Sequence, residues 1–236
     1  MKSVILTSAV LLMALCVVPV AAAPISAFTM DDPVGSGGVN TAYIPGWQFT
    51  PTENITVTAV GFYLVGDGYS PPLTAPMLCG SHMVNIWEDG NTTTPVVSGV
   101  VPAGSTARDS SGYVWQDVSP VNLEANTTYY LMASCVCPAG AYYSTNGTPG
   151  TDTIPTVHDT MVPSGATNLQ YATEIGYSHG VYKYATGGGD GNAAYPTSFD
   201  GSAGYYLTGN FRFIPEPATM ALLALGGVAL LRRRRV

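Results

Sequence analysis

Residues 205–213 decide the fold class, because they read YYLTGNFRF and alternate between apolar and polar side chains. One parity holds Tyr205, Leu207, Phe211 and Phe213 together with Gly209, and the other holds Tyr206, Thr208, Asn210 and Arg212. Successive side chains of a β-strand point to opposite faces of the sheet, so this alternation predicts a strand with one buried face.

Seven further segments have the short, apolar-rich character of strands and are separated by Gly, Pro, Asn and Asp residues that favour turns. They cover residues 46–49, 55–65, 82–87, 95–101, 113–118, 128–134 and Ile175–Tyr184. Between residues 24 and 214, no window of about twelve residues keeps its apolar residues at helical spacing. The sequence therefore predicts an all-β fold, a single antiparallel β-sandwich of the jelly-roll or immunoglobulin-like kind.

Two segments interrupt the simple pattern. Within residues 55–65 the apolar parity changes from Ile55 and Val57 to Val60, Phe62 and Leu64. A bulge near Ala59, or burial on both faces, explains such a change, and we expect this strand to be central in its sheet. Residues 138–173 have no strong periodicity and predict a long loop insertion.

The composition excludes several classes of protein. A chain of 236 residues corresponds to one domain with some excess, at about 150 residues per domain. Charged residues make up 10% of the chain, against about 25% in typical soluble domains. The sequence therefore excludes long Lys/Glu-rich helices and a basic nucleic-acid-binding protein.

The N-terminus has the three parts of a secretory signal peptide. Lys2 provides the positive charge, residues 4–18 are apolar, and small residues follow Pro19. We expect cleavage before Ala23, so that residues 1–22 are the signal peptide and residues 23–214 are the domain.

The C-terminus has a different three-part pattern. Pro215, Glu216 and Pro217 precede an apolar run at residues 218–231, and Arg232, Arg233, Arg234 and Arg235 follow. Fourteen helical residues rise about 21 Å, so this helix is short for a bilayer core of about 30 Å. Arginines remain on the cytoplasmic side, which places the domain outside the membrane.

This tail resembles the PEP-CTERM sorting signal of exported bacterial proteins, in which the Pro-Glu-Pro motif, the short helix and the basic cluster are read by an exosortase. The resemblance covers residues 215–236. It implies an exosortase as partner, transient anchoring in the inner membrane through the C-terminal helix, removal of the tail near Pro215-Glu216-Pro217, and transfer to the cell surface or extracellular matrix.

A second resemblance covers residues 47–134. It rests on the motifs Trp47-Gln48-Phe49, Val57-Thr58-Ala59-Val60-Gly61-Phe62, Ser81-His82-Met83-Val84-Asn85-Ile86-Trp87 and Leu123-Glu124-Ala125-Asn126-Thr127-Thr128-Tyr129-Tyr130. These motifs are similar to a domain of unknown function that recurs in PEP-CTERM proteins. The resemblance implies the same β-sandwich fold and carries no activity.

Removal of both ends makes the chain strongly acidic. The full chain has a net charge of −7, and the residues from Ala23 to Pro215 keep three basic against fourteen acidic side chains, which gives −11. Such a domain repels nucleic acid and anionic lipid headgroups. The expected partners are neutral polysaccharides or divalent cations.

Three cysteines remain after Cys16 is removed with the signal peptide. In an extended strand the Cα atoms of Cys135 and Cys137 would be about 6.6 Å apart, which is near the upper limit for a disulfide. A bond from Cys79 to either of them closes a loop of more than fifty residues, worth about 3–4 kcal/mol. The alternative is a zinc site formed by Cys79, His82, Cys135 and Cys137, because Cys and His are the ligands that zinc prefers.

No motif for catalysis is present. His82, His158 and His179 are accompanied by neither a Gly-x-Ser-x-Gly nor a His-Glu-x-x-His motif, although a triad assembled from distant residues stays open. Several acids precede Gly or Ser and predict turns, with calcium binding as a secondary role: Asp67, Asp89, Asp109, Asp190 and Asp200. We expect no catalytic residue and no cofactor other than calcium.

The fifteen tyrosines outnumber the six phenylalanines. Aromatic faces with a polar tip bind sugar rings, and they also suit the rim of a sandwich. The tyrosines considered for a glycan surface are Tyr142, Tyr143, Tyr171, Tyr177, Tyr182, Tyr184 and Tyr195. Three functions follow in order: a structural or adhesive matrix protein, a carbohydrate-binding module, and a secreted hydrolase.

Overall fold

The computed structural model describes residues 22–30, 43–63, 81–136, 142–143, 149–150, 169–184, 193–200 and 207–216. These residues contain fourteen strands and no helix. In chain order the strands are β1 Ile25–Ser26, β2 Phe28–Thr29, β3 Tyr43–Pro51, β4 Ile55–Tyr63, β5 Ser81–Glu88, β6 Val97–Val101, β7 Tyr113–Leu123, β8 Tyr129–Val136, β9 Tyr142–Tyr143, β10 Pro149–Gly150, β11 Gln170–Tyr171, β12 Ile175–Tyr184, β13 Ser198–Asp200 and β14 Gly209–Pro215.

Two larger sheets contain most of the strands. A four-stranded sheet has the order β1-β14-β4-β7, and a six-stranded sheet has the order β13-β12-β3-β8-β5-β6. Two small sheets pair β9 with β10 and β2 with β11. The strand pairs are antiparallel. The prediction of an all-β, antiparallel fold is confirmed.

Each of the eight predicted strands coincides with an observed one; β12 has the predicted ends, and the other strands differ at one end or both. β14 begins at Gly209 rather than at residue 205, because Leu207 and Thr208 lie in a turn. The Tyr113 hydroxyl donates to the Leu207 carbonyl, and the Tyr63 amide donates to the Thr208 carbonyl at 2.9 Å. Contacts distant in sequence therefore fix this turn.

β4 has the predicted irregularity and the predicted central position. It lies between β14 and β7, and its register with β7 shifts between Val57 and Ala59. Its register with β14 shifts at the same level, between Arg212 and Phe213. The bulge moves the chain from one parity to the other, so that Val57 and Val60 both reach the core.

The predicted insertion at residues 138–173 differs from a plain loop. Three two-residue strands fall within it: β9, β10 and β11. β11 pairs with β2 near the N-terminus, with Tyr171 opposite Phe28. Short-range periodicity carries no signal for such strands, because two residues are too few to show an alternation.

The two larger sheets share one hydrophobic core. Trp47 and Phe49 of the six-stranded sheet pack on Phe211 of the four-stranded sheet, with ring centroids 5.9 and 4.9 Å apart. The Trp47 indole also donates to the Gly209 carbonyl at 2.9 Å, which joins β3 to β14. The core therefore holds the last strand against the opposite sheet.

The compact unit spans Pro24–Pro215, and the residues Met1–Ala23 and Glu216–Val236 are not part of it. Within the described ranges, the structure contains no helix long and apolar enough to cross a membrane. Residues 1–21 of the predicted signal peptide and the predicted sorting helix at residues 218–231 lie outside the described residues. Both stay predictions.

Candidate functional site

The end of β14 is the point where the fold passes into the C-terminal motif. β14 lies between β1 and β4, and its side chains Phe211 and Phe213 are fully buried. Pro215 is opposite Ile55 in the last registered pair, and Glu216 is exposed. The Pro-Glu-Pro motif thus begins at the final residue of an internal strand and reaches solvent one residue later.

Asp109 holds the side of β14 that faces away from the core. One carboxylate oxygen of Asp109 accepts from the Trp115 indole at 2.7 Å and from the Arg212 guanidinium at 3.2 Å. The other oxygen accepts from the backbone amides of Ser111 at 2.9 Å and Tyr113 at 3.1 Å. One carboxylate therefore connects the turn before β7, β7 itself and β14.

Trp115 is enclosed between two neighbours. The Arg212 guanidinium carbon lies 4.1 Å from the Trp115 ring centroid, in a cation–π contact. A Cβ atom added at Gly61 would lie 2.8 Å from the same ring, so glycine is needed there for the indole to lie across β4. Trp115 consequently supports β14 through its contact with Arg212.

The N-terminal segment runs alongside β14. Ile25 is opposite Phe213, and the Ala27 amide donates to the Phe211 carbonyl at 2.9 Å. The Asn210 side chain donates to the Phe28 carbonyl at 3.0 Å. The start of the domain therefore lies on the strand next to β14, which ends at Pro215.

Two of the tyrosines considered for glycan binding are partly buried and pack against the core. Tyr171 and Tyr177 stack on each other, with centroids 4.6 Å apart, and both contact Trp47 in the core. Burial, followed by the neighbouring Tyr177, raises the pKa of the Tyr171 phenol above its usual value. These rings therefore contribute to the packing around Trp47.

Tyr195 lies on the other face of the six-stranded sheet. Its hydroxyl and that of Tyr130 both donate to one oxygen of Asp89, each at 3.0 Å. Burial, assisted by the hydrogen bond to Asp89, raises the pKa of the Tyr130 phenol. The Ala193 carbonyl accepts from the Trp87 indole at 2.8 Å. Residues 193–195 thus cover an aromatic patch and are held there by hydrogen bonds.

The structure brings Tyr171 and Tyr177 together but places Tyr195 in a separate cluster. Tyr171 and Tyr177 belong to the core between the sheets, and Tyr195 belongs to the opposite face of one sheet. The side chains of Tyr142, Tyr143, Tyr182 and Tyr184 lie outside the described residues.

The cysteine predictions rest mainly on residues outside the described part of the chain. Cys79 and Cys137 lie outside it, while Cys135 lies in β8 directly opposite His82 of β5. His82 is fully buried and stacks on Phe62, with centroids 3.9 Å apart. The disulfide from Cys79 and the zinc alternative therefore stay predictions.

The other metal and catalytic candidates are equally open. Among the described residues, no three His, Cys, Asp or Glu side chains are grouped closely enough to hold a metal ion. His158 lies outside the described residues, and the His179 imidazole contacts the Ser178 hydroxyl at 2.8 Å. Asp67 and Asp190 also lie outside the described residues.

A groove between two edge strands was not predicted. It has a volume of about 480 Å³ and lies between β6 and β7. Val97, Gly99 and Val100 line one wall, and Gln116 and Val118 line the other. Sequence reasoning placed both strands, yet adjacency of strands from different sheets depends on the topology.

Comparison with known proteins identifies the C-terminal segment. Residues 213–235 match the family model described as the PEP-CTERM protein-sorting motif. No curated protein and no solved structure matches the chain. The matched segment begins at Phe213 inside β14 and includes the exposed Glu216. The chain carries a PEP-CTERM protein-sorting motif, which indicates an exported protein that is targeted for processing by an exosortase.

Proposed function

We propose that this protein is a structural or adhesive component of the cell surface or extracellular matrix, delivered there after an exosortase removes its tail. The position of the motif carries this proposal. Pro215 ends an internal strand, and Glu216 is exposed immediately beyond it. A processing enzyme can therefore bind the motif while Phe211 and Phe213 stay buried.

We further propose that the domain is a β-sandwich between a signal peptide and a membrane-anchoring helix. The two larger sheets form the layers of a β-sandwich, and Trp47 and Phe211 are among the residues that pack between them. Residues 1–22 are a signal peptide, and residues 218–231 form a helix that anchors the protein transiently in the inner membrane. The three basic and fourteen acidic residues from Ala23 to Pro215 favour neutral polymers or divalent cations as contacts.

Polar and aromatic side chains of the described residues take part in hydrogen bonds and packing, which favours a structural role over catalysis. Asp109 and Asp89 accept hydrogen bonds that hold strands and residues 193–195 in place, and Tyr171 and Tyr177 pack against the core. We therefore propose that the protein is not an enzyme and needs no cofactor other than calcium.

The test is localisation of the full chain in its host. With the native motif, we expect the protein at the cell surface or in the medium, without the arginine cluster. A Glu216→Ala/Pro217→Ala variant is expected to stay in the membrane fraction with its tail. Glu53→Ala, which alters an exposed acid elsewhere, is the matched control and should behave like the native chain.

Two results would contradict the proposal. Identical processing of the motif variant and the control would remove the assigned role of the motif. Specific retention of the released protein on one matrix polysaccharide would instead favour a carbohydrate-binding module over a structural component.

A further inference from the structure

Edge strands need protection, because their unpaired backbone groups can pair with another chain. The two larger sheets have four edge strands: β1, β13, β7 and β6. β1 has two residues and β13 has three, so both edges are short. β7 has eleven residues, but it contains the exposed Asp117 and Pro120 and a shift in its register with β4.

β6 has none of these protective features. Its five residues, Val97–Val101, contain neither a charged side chain nor a proline. Val100 is 44% exposed and is one of two large hydrophobic residues classed as exposed in the described part of the chain. Within that part of the chain β5 is its hydrogen-bonded neighbour, and the groove of about 480 Å³ runs along its other side.

We infer that β6 pairs with β6 of a second copy of this protein, which joins two six-stranded sheets across a two-fold axis. This inference rests on the proposed structural role and gives the contact by which copies assemble. A symmetric contact requires a surface that complements itself. An uncharged strand meets that requirement in an otherwise acidic domain, because equal charges directly opposite each other destabilise a strand pair.

One antiparallel register pairs all five residues. It places Gly99 opposite Gly99 of the second copy, Val97 opposite Val101, and Ser98 opposite Val100. In this register, paired side chains of the two copies point to the same face of the joined sheet, because residues two apart in a strand share a face. Val97 and Val101 are buried, so Ser98 and Val100 are the exposed side chains of the pair.

The first test is cross-linking of the full chain in cell envelopes. A Ser98→Cys/Val100→Cys variant places each new cysteine opposite one of the second copy, and a short bis-maleimide should yield a covalent dimer. Asp117→Cys/Ser119→Cys has the same spacing on the exposed edge of β7 and is the matched control. The native chain, treated with the same reagent, is a second control that shows any cross-linking through its own cysteines.

The second test is sedimentation of the full chain in mild detergent. V100K places a cation on the edge, and it should shift the native dimer to a monomer, whereas S119K should leave the dimer unchanged. Because acidic copies repel each other, more salt should raise the dimer fraction. Matching far-ultraviolet circular dichroism spectra of V100K and the native chain show that the variant folds.

Each outcome decides the inference. A native chain that is monomeric at all concentrations overturns it, as does a dimer that V100K leaves intact or that cross-links only through β7. Localisation at the cell surface is measured separately, so a monomer at the surface would overturn the β6 contact and leave the sorting function standing.

Discussion

Replacing Asp109 by Asn is the sharpest test of the cluster that supports the last strand. The carboxylate accepts four hydrogen bonds, two on each oxygen, from the Trp115 indole, the Arg212 guanidinium and the amides of Ser111 and Tyr113. An amide has only one oxygen. In either orientation its NH₂ group therefore faces two donors, and two hydrogen bonds are lost.

The magnitude follows from the contacts and their exposure. A hydrogen bond to a charged group contributes about 1.5–3 kcal/mol. The ion pair with Arg212 adds less than about 1 kcal/mol, since the two side chains are 35% and 27% exposed. After discounting for solvent, we expect Asp109→Asn to lower the free energy of unfolding by about 2 kcal/mol. For a domain of this size that corresponds to a melting point lower by about 4–8 °C.

The assay is denaturant unfolding followed by tryptophan fluorescence, in which Trp115 is one of three reporters. Asp117→Asn is the matched control, because it removes the same charge from an exposed position on β7. Its effect should stay within about 0.5 kcal/mol. Equal effects of the two substitutions would refute the role assigned to Asp109.

Three further predictions test the packing, the buried tyrosines and the cysteines. Gly46→Ala should disrupt the pairing of β3 with β8, because its new Cβ would overlap the Leu131 carbonyl and the Met132 sulfur. Circular dichroism should show a loss of strand structure. Gly176→Ala is the control and should have a milder effect, because its Cβ would lie 3.0 Å from the Thr50 carbonyl. Burial raises the pKa of the Tyr113 phenol, so the unfolded chain ionises first as the pH rises above about 10. Stability should be constant below that pH and then fall by about 1.4 kcal/mol per pH unit for this residue, and a flat unfolding free energy up to pH about 11 would contradict the assignment. Thiol titration and metal analysis of the released protein should give one free thiol and no zinc, while bound zinc would favour the four-ligand alternative.

The alternation of side chains predicted the strands because it is a local property. Residues 205–213 show it, and Leu207, Phe211 and Phe213 are buried as predicted, although Thr208 and Asn210 of the other parity are buried as well. The parity change around Ala59 likewise predicted the bulge in β4, since a single extra residue is visible in the sequence itself.

The sequence contains no comparable local pattern that predicts the long-range contacts of the site. Because Asp109 precedes a serine, the local sequence predicts a turn residue. It does not predict the contact with Arg212, which is 103 positions away. The pairing of β14 with β1 joins the two ends of the domain, and the neighbouring positions of β6 and β7 depend on the order of strands in two sheets. Tyr171 and Tyr177, which we considered for a binding surface, are partly buried and pack against the core, because an aromatic side chain suits both environments.

The intact mass of the protein recovered outside the cell tests the central claim most directly. Because pairing continues to Pro215 and Glu216 is exposed, the account predicts a C-terminus at or just after Pro215, with the whole of β14 retained and the four terminal arginines absent. A mass that includes the arginine cluster, a C-terminus within β14, or recovery of the protein only from the cytosol would contradict it.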